Sequence, residues 1–361
     1  MSRPAAEWRG RSVLVTGHTG FKGGWLSLWL HRLGATVHGY ALEPPTKPSL
    51  FVVANVGGVL SSDTRADLAE FSRLKRAFRD AQPEVVFHLA AQPLVRESYR
   101  DPLGTLASNV IGTAHVLEAA RGSDSVRAIV VITTDKVYEN REWDRPYREI
   151  DPLGGHDPYS ASKAAAEIVT ASYRSSFFPG REGNAARIAT ARAGNVIGGA
   201  DWAADRLVPD CLRAFQNREP VTLRYPDALR PWQHVLEPLS GYLRLAEGLL
   251  GADGEKFATA WNFGPDKSSE ANVREVAELA ARIWGDGARI ATTPATDNPH
   301  EAGLLRLDSS RARGELGWLP RWSLREALEK TVSWHRSWLK GADMAGVSGE
   351  QIDAYEAADS R

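Results

Sequence analysis

Tyr159 and Lys163 stand four residues apart in Tyr159-Ser-Ala-Ser-Lys163, a spacing that puts both side chains on one face of a helix. A free phenol titrates near pH ~10 and is a poor base at neutrality unless a nearby cation stabilises its ionised form. Lys163 could be that cation. The same spacing also arises by chance in ordinary surface pairs, so its meaning depends on what else the chain carries. Arg127-Ala-Ile-Val-Val-Ile-Thr-Thr134 reads as a buried strand, and Asp135-Lys136 follows at its carboxyl end, where a charged pair is either a solvated turn or part of a cleft. A second β-branched run, Ser12-Val-Leu-Val-Thr16, stops at Gly17, and Gly17-His-Thr-Gly20-Phe21-Lys22-Gly23 then leads into the apolar helix pattern Trp25, Leu26, Leu28, Trp29, Leu33. Strand, glycine turn and helix in that order let a pyrophosphate approach bare amides at a positively polarised helix N-terminus. The Gly-x-x-Gly-x-x-Gly spacing differs from the Gly-x-Gly-x-x-Gly fingerprint, and tight glycine turns also close strand–helix units that bind nothing.

The elements that must position these groups recur through the first half of the chain. Strand-like runs at Ser12–Thr16, Thr36–Tyr40, Val59–Ser61, Val85–Leu89, Ala128–Thr134 and Ala186–Arg192 alternate with helical segments. This βαβ alternation predicts an α/β fold with a doubly wound parallel sheet and ligands at the carboxyl ends of its strands. After about residue 195 the pattern becomes irregular and rich in Trp, Pro and Arg, with helices predicted over Asp205–Asn217, Leu236–Leu250 and Val273–Trp284. The expected division is a dinucleotide-binding unit over 1–194 and a smaller mixed α/β substrate lobe over 195–361. Pro-bearing Glu43-Pro-Pro-Thr-Lys-Pro48 reads as a loop.

The chain has 361 residues, 44 Lys and Arg against 45 Asp and Glu, and so no charge imbalance that would mark a nucleic-acid or membrane-surface binder. Binding of an anionic substrate must then come from local arginines. Cys211 is the only cysteine, which excludes an internal disulfide, fits a reducing compartment and reads as a buried helix position. No metal-ligand spacing accompanies it. No segment approaches the ~18 apolar residues of a membrane span, so a soluble, cytoplasmic protein is expected.

Together with Asn109, in Asn109-Val-Ile-Gly-Thr113, these motifs resemble the extended short-chain dehydrogenase/reductase family over nearly the whole chain. Within it, Gly17 to Gly23, Ala90-Ala91-Gln-Pro-Leu-Val95, Thr134-Asp135-Lys136, Gly194-Asn195-Val-Ile-Gly-Gly199 followed by Asp201-Trp202, and Arg230-Pro-Trp-Gln-His234-Val235 are similar to the nucleotide-sugar 4,6-dehydratases, and among those to the CDP-glucose group. The resemblance implies a Rossmann sheet, with some segments of the second lobe returning to the first, and a dimer contact made by the Tyr159 helix and the one near Leu106 to Ala120. NAD contacts are expected from Gly17, Gly20, Phe21, Lys22, Gly23, Ala90 and Ala91, with Tyr159 and Lys163. The usual acidic residue is not evident at Gly39-Tyr40-Ala41-Leu42; Asp63 is expected to contact the adenine, and no arginine follows the second strand to hold a 2′-phosphate. Asn195, Trp202, Arg206, Arg230 and His234 are the candidates for the sugar and diphosphate.

The implied reaction has Thr134 orienting the substrate and Tyr159 taking the C4 hydroxyl proton while hydride leaves C4. Asp135 protonates the departing C6 hydroxyl, Lys136 carries the C5 proton, and the same hydride returns to C6. Asp135 would need a raised pKa and Lys136 a lowered one. A 4-epimerase or reductase on the same fold is the nearest alternative, and Asp135-Lys136 argues against it. A dinucleotide-sensing binding protein would have no use for Thr134, Tyr159 and Lys163 together.

Overall fold

Successive residues of a strand point to opposite faces, and here both faces are apolar. Val13 and Val15, Val85 and Phe87, and Ala128, Val130 and Ile132 enter one core, while Leu14, Val86, Ile129 and Val131 enter another on the far side of the sheet. Each Val, Leu, Ile or Phe side chain among them contributes ~1.5–3 kcal/mol when removed from water, which fixes the register strand by strand. A computed structural model describes residues 7–178, 186–292 and 303–358. Its central sheet comprises β1 (Ser12–Thr16), β2 (Thr36–Ala41), β3 (Ser62–Arg65), β4 (Val85–His88), β5 (Ala128–Ile132), β6 (Arg187–Ala193) and, from much later in the chain, β10 (Ala260–Phe263). The spatial order is β3-β2-β1-β4-β5-β6-β10, with every neighbouring pair parallel. The helices Phe21–Arg32 and Leu236–Leu250 cover the first core, and Phe71–Ala81 and Gly112–Arg121 cover the second. The sheet is doubly wound, and the winding reverses between β1 and β4, which opens a crevice beyond their carboxyl ends.

The third strand departs from expectation. Val56–Val59 forms a short 3-10 helix, and β3 begins at Ser62. Ser62 and Asp63 are exposed on this edge strand, so no apolar pattern marked it, while Val56 was drawn to the core beside the first helix. Leu236–Leu250 and Val273–Trp284 form where predicted, and the helix expected over Asp205–Asn217 is Leu207–Gln216.

The rest of the second half builds a separate core. β7 (Asn195–Ile197), β9 (Leu229–His234) and β11 (Glu270–Asn272) form a three-stranded sheet, and β8 (Pro220–Leu223) pairs with β12 (Arg289–Thr292). Val208, Cys211, Leu212, Phe215, Trp232, Val276, Ala280 and Leu328 fill the space beneath three helices. The helix Met344–Ala357 packs back on Phe21–Arg32, so chain from the second half braces the first. Among the described residues no helix is long and apolar enough to cross a membrane, and no cluster of His, Cys, Asp and Glu could hold a metal.

Candidate active site

The helix Pro158–Phe177 starts on Pro158 with Asp157 as its cap, whose carboxylate accepts from Ser160 N at 2.9 Å and Ser160 Oγ at 2.6 Å. One turn separates Tyr159 from Lys163, and both are buried where the end of β5 meets the helix. Lys163 Nζ donates to Ile132 O at 3.1 Å, and Thr134 Oγ1 donates to Asp135 Oδ1 at 3.0 Å. The Thr134 hydroxyl is close enough to the Tyr159 phenol to act on its ionisation. The structure therefore brings Thr134, Asp135, Tyr159 and Lys163 together, with half-buried Lys136 beside them.

Burial dominates the electrostatics. It pushes the Tyr159 phenol up to about 12, against the opposing Thr134 hydrogen bond and the Arg206 charge. It pushes Lys163 down to about 8, against the charge of Glu167. The protein alone does not produce the expected phenolate, because desolvation of the oxyanion outweighs the neighbouring charges. Asp135, 2% exposed, is raised by burial, opposed by Lys136, Thr134, Arg230 and Lys22. Its Oδ2 has no hydrogen-bond partner, an arrangement suited to a carboxyl group that keeps a proton to give away. Burial also pushes Lys22 down to about 8, assisted by Arg206 and opposed by Asp135 and Asp201.

The glycine turn forms the other side of the crevice. Gly17 has φ +79°, and a Cβ there would lie 2.7 Å from Ala90 N, so the turn and the segment after β4 touch backbone to backbone. A Cβ on Gly23 would stand 2.1 Å from Gly17 O. Gly20 differs, since a Cβ there would meet only Gly17 O, at 3.4 Å, and Gly20 caps the helix Phe21–Arg32 with no side chain bonded to the first amides. Unfilled space in front of uncapped amides fits a dinucleotide pyrophosphate. Phe21 reaches across toward Gly198, and Trp25 Nε1 donates to Gly199 O at 3.0 Å, fixing the second lobe on this helix. Ala90 and Ala91 lie half-buried beside the turn, and Ala90 N donates to Thr16 Oγ1 at 3.3 Å. Asn109, in a π-helical turn spanning Ala107–Ile111, donates to Gln92 O at 3.1 Å and to Ser162 Oγ at 2.8 Å, and accepts from Gln92 N at 2.8 Å. It ties that segment to the Tyr159 helix.

Asp63, on β3, has its carboxylate already engaged by Arg65 Nε at 2.7 Å and His18 Nε2 at 2.8 Å. His18 occupies the space over Gly39, whose Cβ would fall 2.6 Å from the imidazole, which explains the absence of a side chain at this position of β2. Arg65 also pairs with Glu43 at 3.2 Å, so the nearby cation is neutralised by two acids. That balance suits a ribose without a 2′-phosphate.

On the substrate side, Arg206 is held by Asp201 at 2.9 Å, and its charge acts on both Tyr159 and Lys22. Arg230 is buried, donates to Leu229 O at 2.9 Å and acts on Asp135. Asn195 opens β7 opposite Trp232. Trp202 leans on Trp334 and Trp338, with ring centroids 5.7 and 5.1 Å away. His234 does not join this group. Its ring is 0% exposed, packed edge-on against Trp25 at 6.2 Å and Trp322 at 4.8 Å, and burial pushes it down to about 3. β9 ends there, and Leu236 N, at the start of the helix Leu236–Leu250, donates to His234 Nδ1 at 3.3 Å. The sequence analysis assigns no functional role to Glu167 or Arg192. The signals were a third polar residue four beyond Lys163 and an arginine near the end of an otherwise mostly apolar strand.

A parallel doubly wound sheet, a glycine turn at its crevice and a Tyr–Lys helix facing that crevice define a dinucleotide-dependent enzyme of the short-chain dehydrogenase/reductase type. Residues 14–331 match the family model described as GDP-mannose 4,6 dehydratase, and the chain belongs to that family. A Salmonella typhimurium protein named CDP-glucose 4,6-dehydratase is 48% identical over 356 residues, covering 98% of each chain. A Xanthomonas campestris pv. campestris protein named dTDP-glucose 4,6-dehydratase is 26% identical over 94% of this chain and 98% of its own. Among solved structures, MoeE5 in complex with UDP-glucuronic acid and NAD superposes with TM-score 0.73 at 26% identity, covering 91% of this chain and 99% of that one.

Proposed function

We propose that the chain catalyses the 4,6-dehydration of CDP-glucose with NAD, giving a CDP-4-keto-6-deoxy sugar and water. The observation that carries the reading is Asp135, a buried carboxyl group with an unpartnered oxygen on the same strand end as Thr134. An epimerase needs no such acid. When bound, NAD would supply a hydride acceptor for sugar C4 and return the same hydride to C6. Tyr159 takes the C4 hydroxyl proton with Thr134 as its hydrogen-bond partner. Lys163, cationic below about 8, favours the resulting phenolate. Lys136 removes and returns the C5 proton, and Asp135 gives its proton to the C6 oxygen, which departs as water. Asn195, Arg206 and Arg230 face the diphosphate and sugar, arginine being suited to bidentate phosphate contacts. Residues before 195 supply the cofactor cradle, and those after it most of the sugar-nucleotide side.

We also propose a homodimer formed through the Pro158–Phe177 helix and its neighbour. Leu103, Leu106, Ile111 and Ile168 are exposed at 77%, 39%, 54% and 59% on adjoining helical segments, a concentration of apolar surface that a second copy would cover.

The test is incubation of the purified protein with NAD and CDP-, dTDP-, UDP- or GDP-glucose, followed by mass. Loss of one water from CDP-glucose, with the highest kcat/KM of the set, is expected. A preference for dTDP-glucose would overturn the choice of nucleotide, and a 4-epimer without dehydration would overturn the reaction.

A further inference from the structure

Glu167 lies one helical turn beyond Lys163 and two beyond Tyr159, so the three share one face of the helix. It is 4% exposed and accepts four hydrogen bonds: from Thr133 Oγ1 and Thr190 Oγ1, each at 2.6 Å, and from Arg192 Nε and Nη2, each at 2.9 Å. Arg192, 3% exposed, uses Nη1 to donate to Tyr138 Oη at 2.9 Å and Glu149 O at 3.3 Å, and Tyr138 donates onward to Asn262 Oδ1 at 2.7 Å. One carboxylate thus joins the catalytic helix, the end of β5, and β6, and through Arg192 the chain after Asp135 and β10. Burying such a pair costs several kcal/mol of desolvation per ion, and apolar residues could fill the same space with equal or better stability. A reason other than stability is needed.

The end of β5 supplies one. Three successive residues each clasp one group of the site: Ile132 O holds Lys163, Thr133 Oγ1 holds Glu167, and Thr134 Oγ1 holds Asp135. Thr133 N is fixed in turn to Ala191 O at 2.9 Å. The charged and titratable groups facing Lys163 are Tyr159 and Glu167 on its own helix, Lys22 at the start of the first helix and His88 at the end of β4. His88 is neutral, its ring between Thr16 and Thr113. Glu167 is the anion among them, and the cations facing it are Lys163, Arg192 and Arg174.

We propose that Glu167, clamped by Arg192, is a positioning residue of the reaction: it keeps an ammonium at Lys163 and, through Thr133, holds the Thr134–Asp135 turn in place against Tyr159. The inference rests on the roles given above to Tyr159, Lys163 and Asp135. Glu167→Gln keeps the shape and removes the charge, but leaves Arg192 buried without its partner, so Glu167→Gln/Arg192→Gln serves as the variant carrying neither charge. In both, the Lys163 titration, followed by 13C NMR of the lysine Cε carbons in the protein without substrate, should move to lower pH by roughly one unit. The alkaline limb of kcat with CDP-glucose should move with it while KM stays near the wild-type value, and Glu167→Asp should restore part of the shift. A Lys163 titration that stays in place in folded variants overturns the proposal, even if their Tm and rate fall. Failure of the wild type to dehydrate CDP-glucose would overturn the reading of the reaction instead, and the Lys163 titration would still decide the positioning role.

Discussion

Replacing Asp135 by Asn separates the two chemical halves of the proposed reaction and gives opposite signs in activity and stability. The amide keeps an oxygen to accept from Thr134, now 3.0 Å from Asp135 Oδ1, so the turn should hold. The proton donor is lost. A general acid is worth ~10²–10⁴-fold, or ~2.7–5.5 kcal/mol of barrier, and the loss falls on elimination while C4 oxidation proceeds. Reduced-nicotinamide absorbance should therefore build up with CDP-glucose. In Tyr159→Phe, which lacks the base for the first step, none should appear. The stability effect follows from burial. Asp135 is raised, so the folded state holds its proton more tightly than the unfolded one; that contribution is full below the unfolded pKa and lost as pH rises through the folded one. Each unit of elevation is worth ~1.4 kcal/mol, a cost that Asn does not carry. Asp135→Asn should thus melt higher than wild type at alkaline pH, by ~1–2 °C per kcal/mol, and lose that advantage in acid. Equal absence of reduced cofactor in both variants, or a lower melting point for Asp135→Asn at alkaline pH, would refute the assignment.

The glycines of the first turn should divide by function. Gly17→Ala puts a Cβ 2.7 Å from Ala90 N at a φ of +79° and should cost folding itself, whereas Gly20→Ala, at 3.4 Å from Gly17 O, should leave Tm near wild type and weaken NAD binding by calorimetry. Deuterium at sugar C4 should appear at C6 of the product, and turnover in deuterated water should place deuterium at C5; a label retained at C4 would contradict the hydride return. Light scattering at micromolar concentration should give twice the chain mass, and Ile168→Lys, at a residue 59% exposed, should give the mass of one chain.

The catalytic spacing, the glycine turn and the parallel sheet were legible because each is local. Tyr159 and Lys163 need only one helical turn to share a face, β1 and β5 declare themselves through the apolar runs Val13–Val15 and Ala128–Ile132, and Leu236–Leu250 is bounded by its own pattern. β3 was misplaced because an exposed edge strand made of Ser, Asp, Thr and Arg has no apolar period to read. His234 lay in a motif shared with Arg230, but whether a side chain four positions along a strand meets substrate or core depends on Trp25 and Trp322, residues far from it in the chain. Protonation states were equally beyond local reading. The spacing of Tyr159 and Lys163 predicts that the cation acidifies the phenol, yet enclosure raises the phenol and lowers the amine, because transfer from water penalises whichever form carries charge. Residue type and spacing determined which groups could do the chemistry. Their burial, and the meeting of Thr133, Thr190 and Arg192 around Glu167, was decided by strands and helices that are distant in sequence and adjacent only once the sheet has formed.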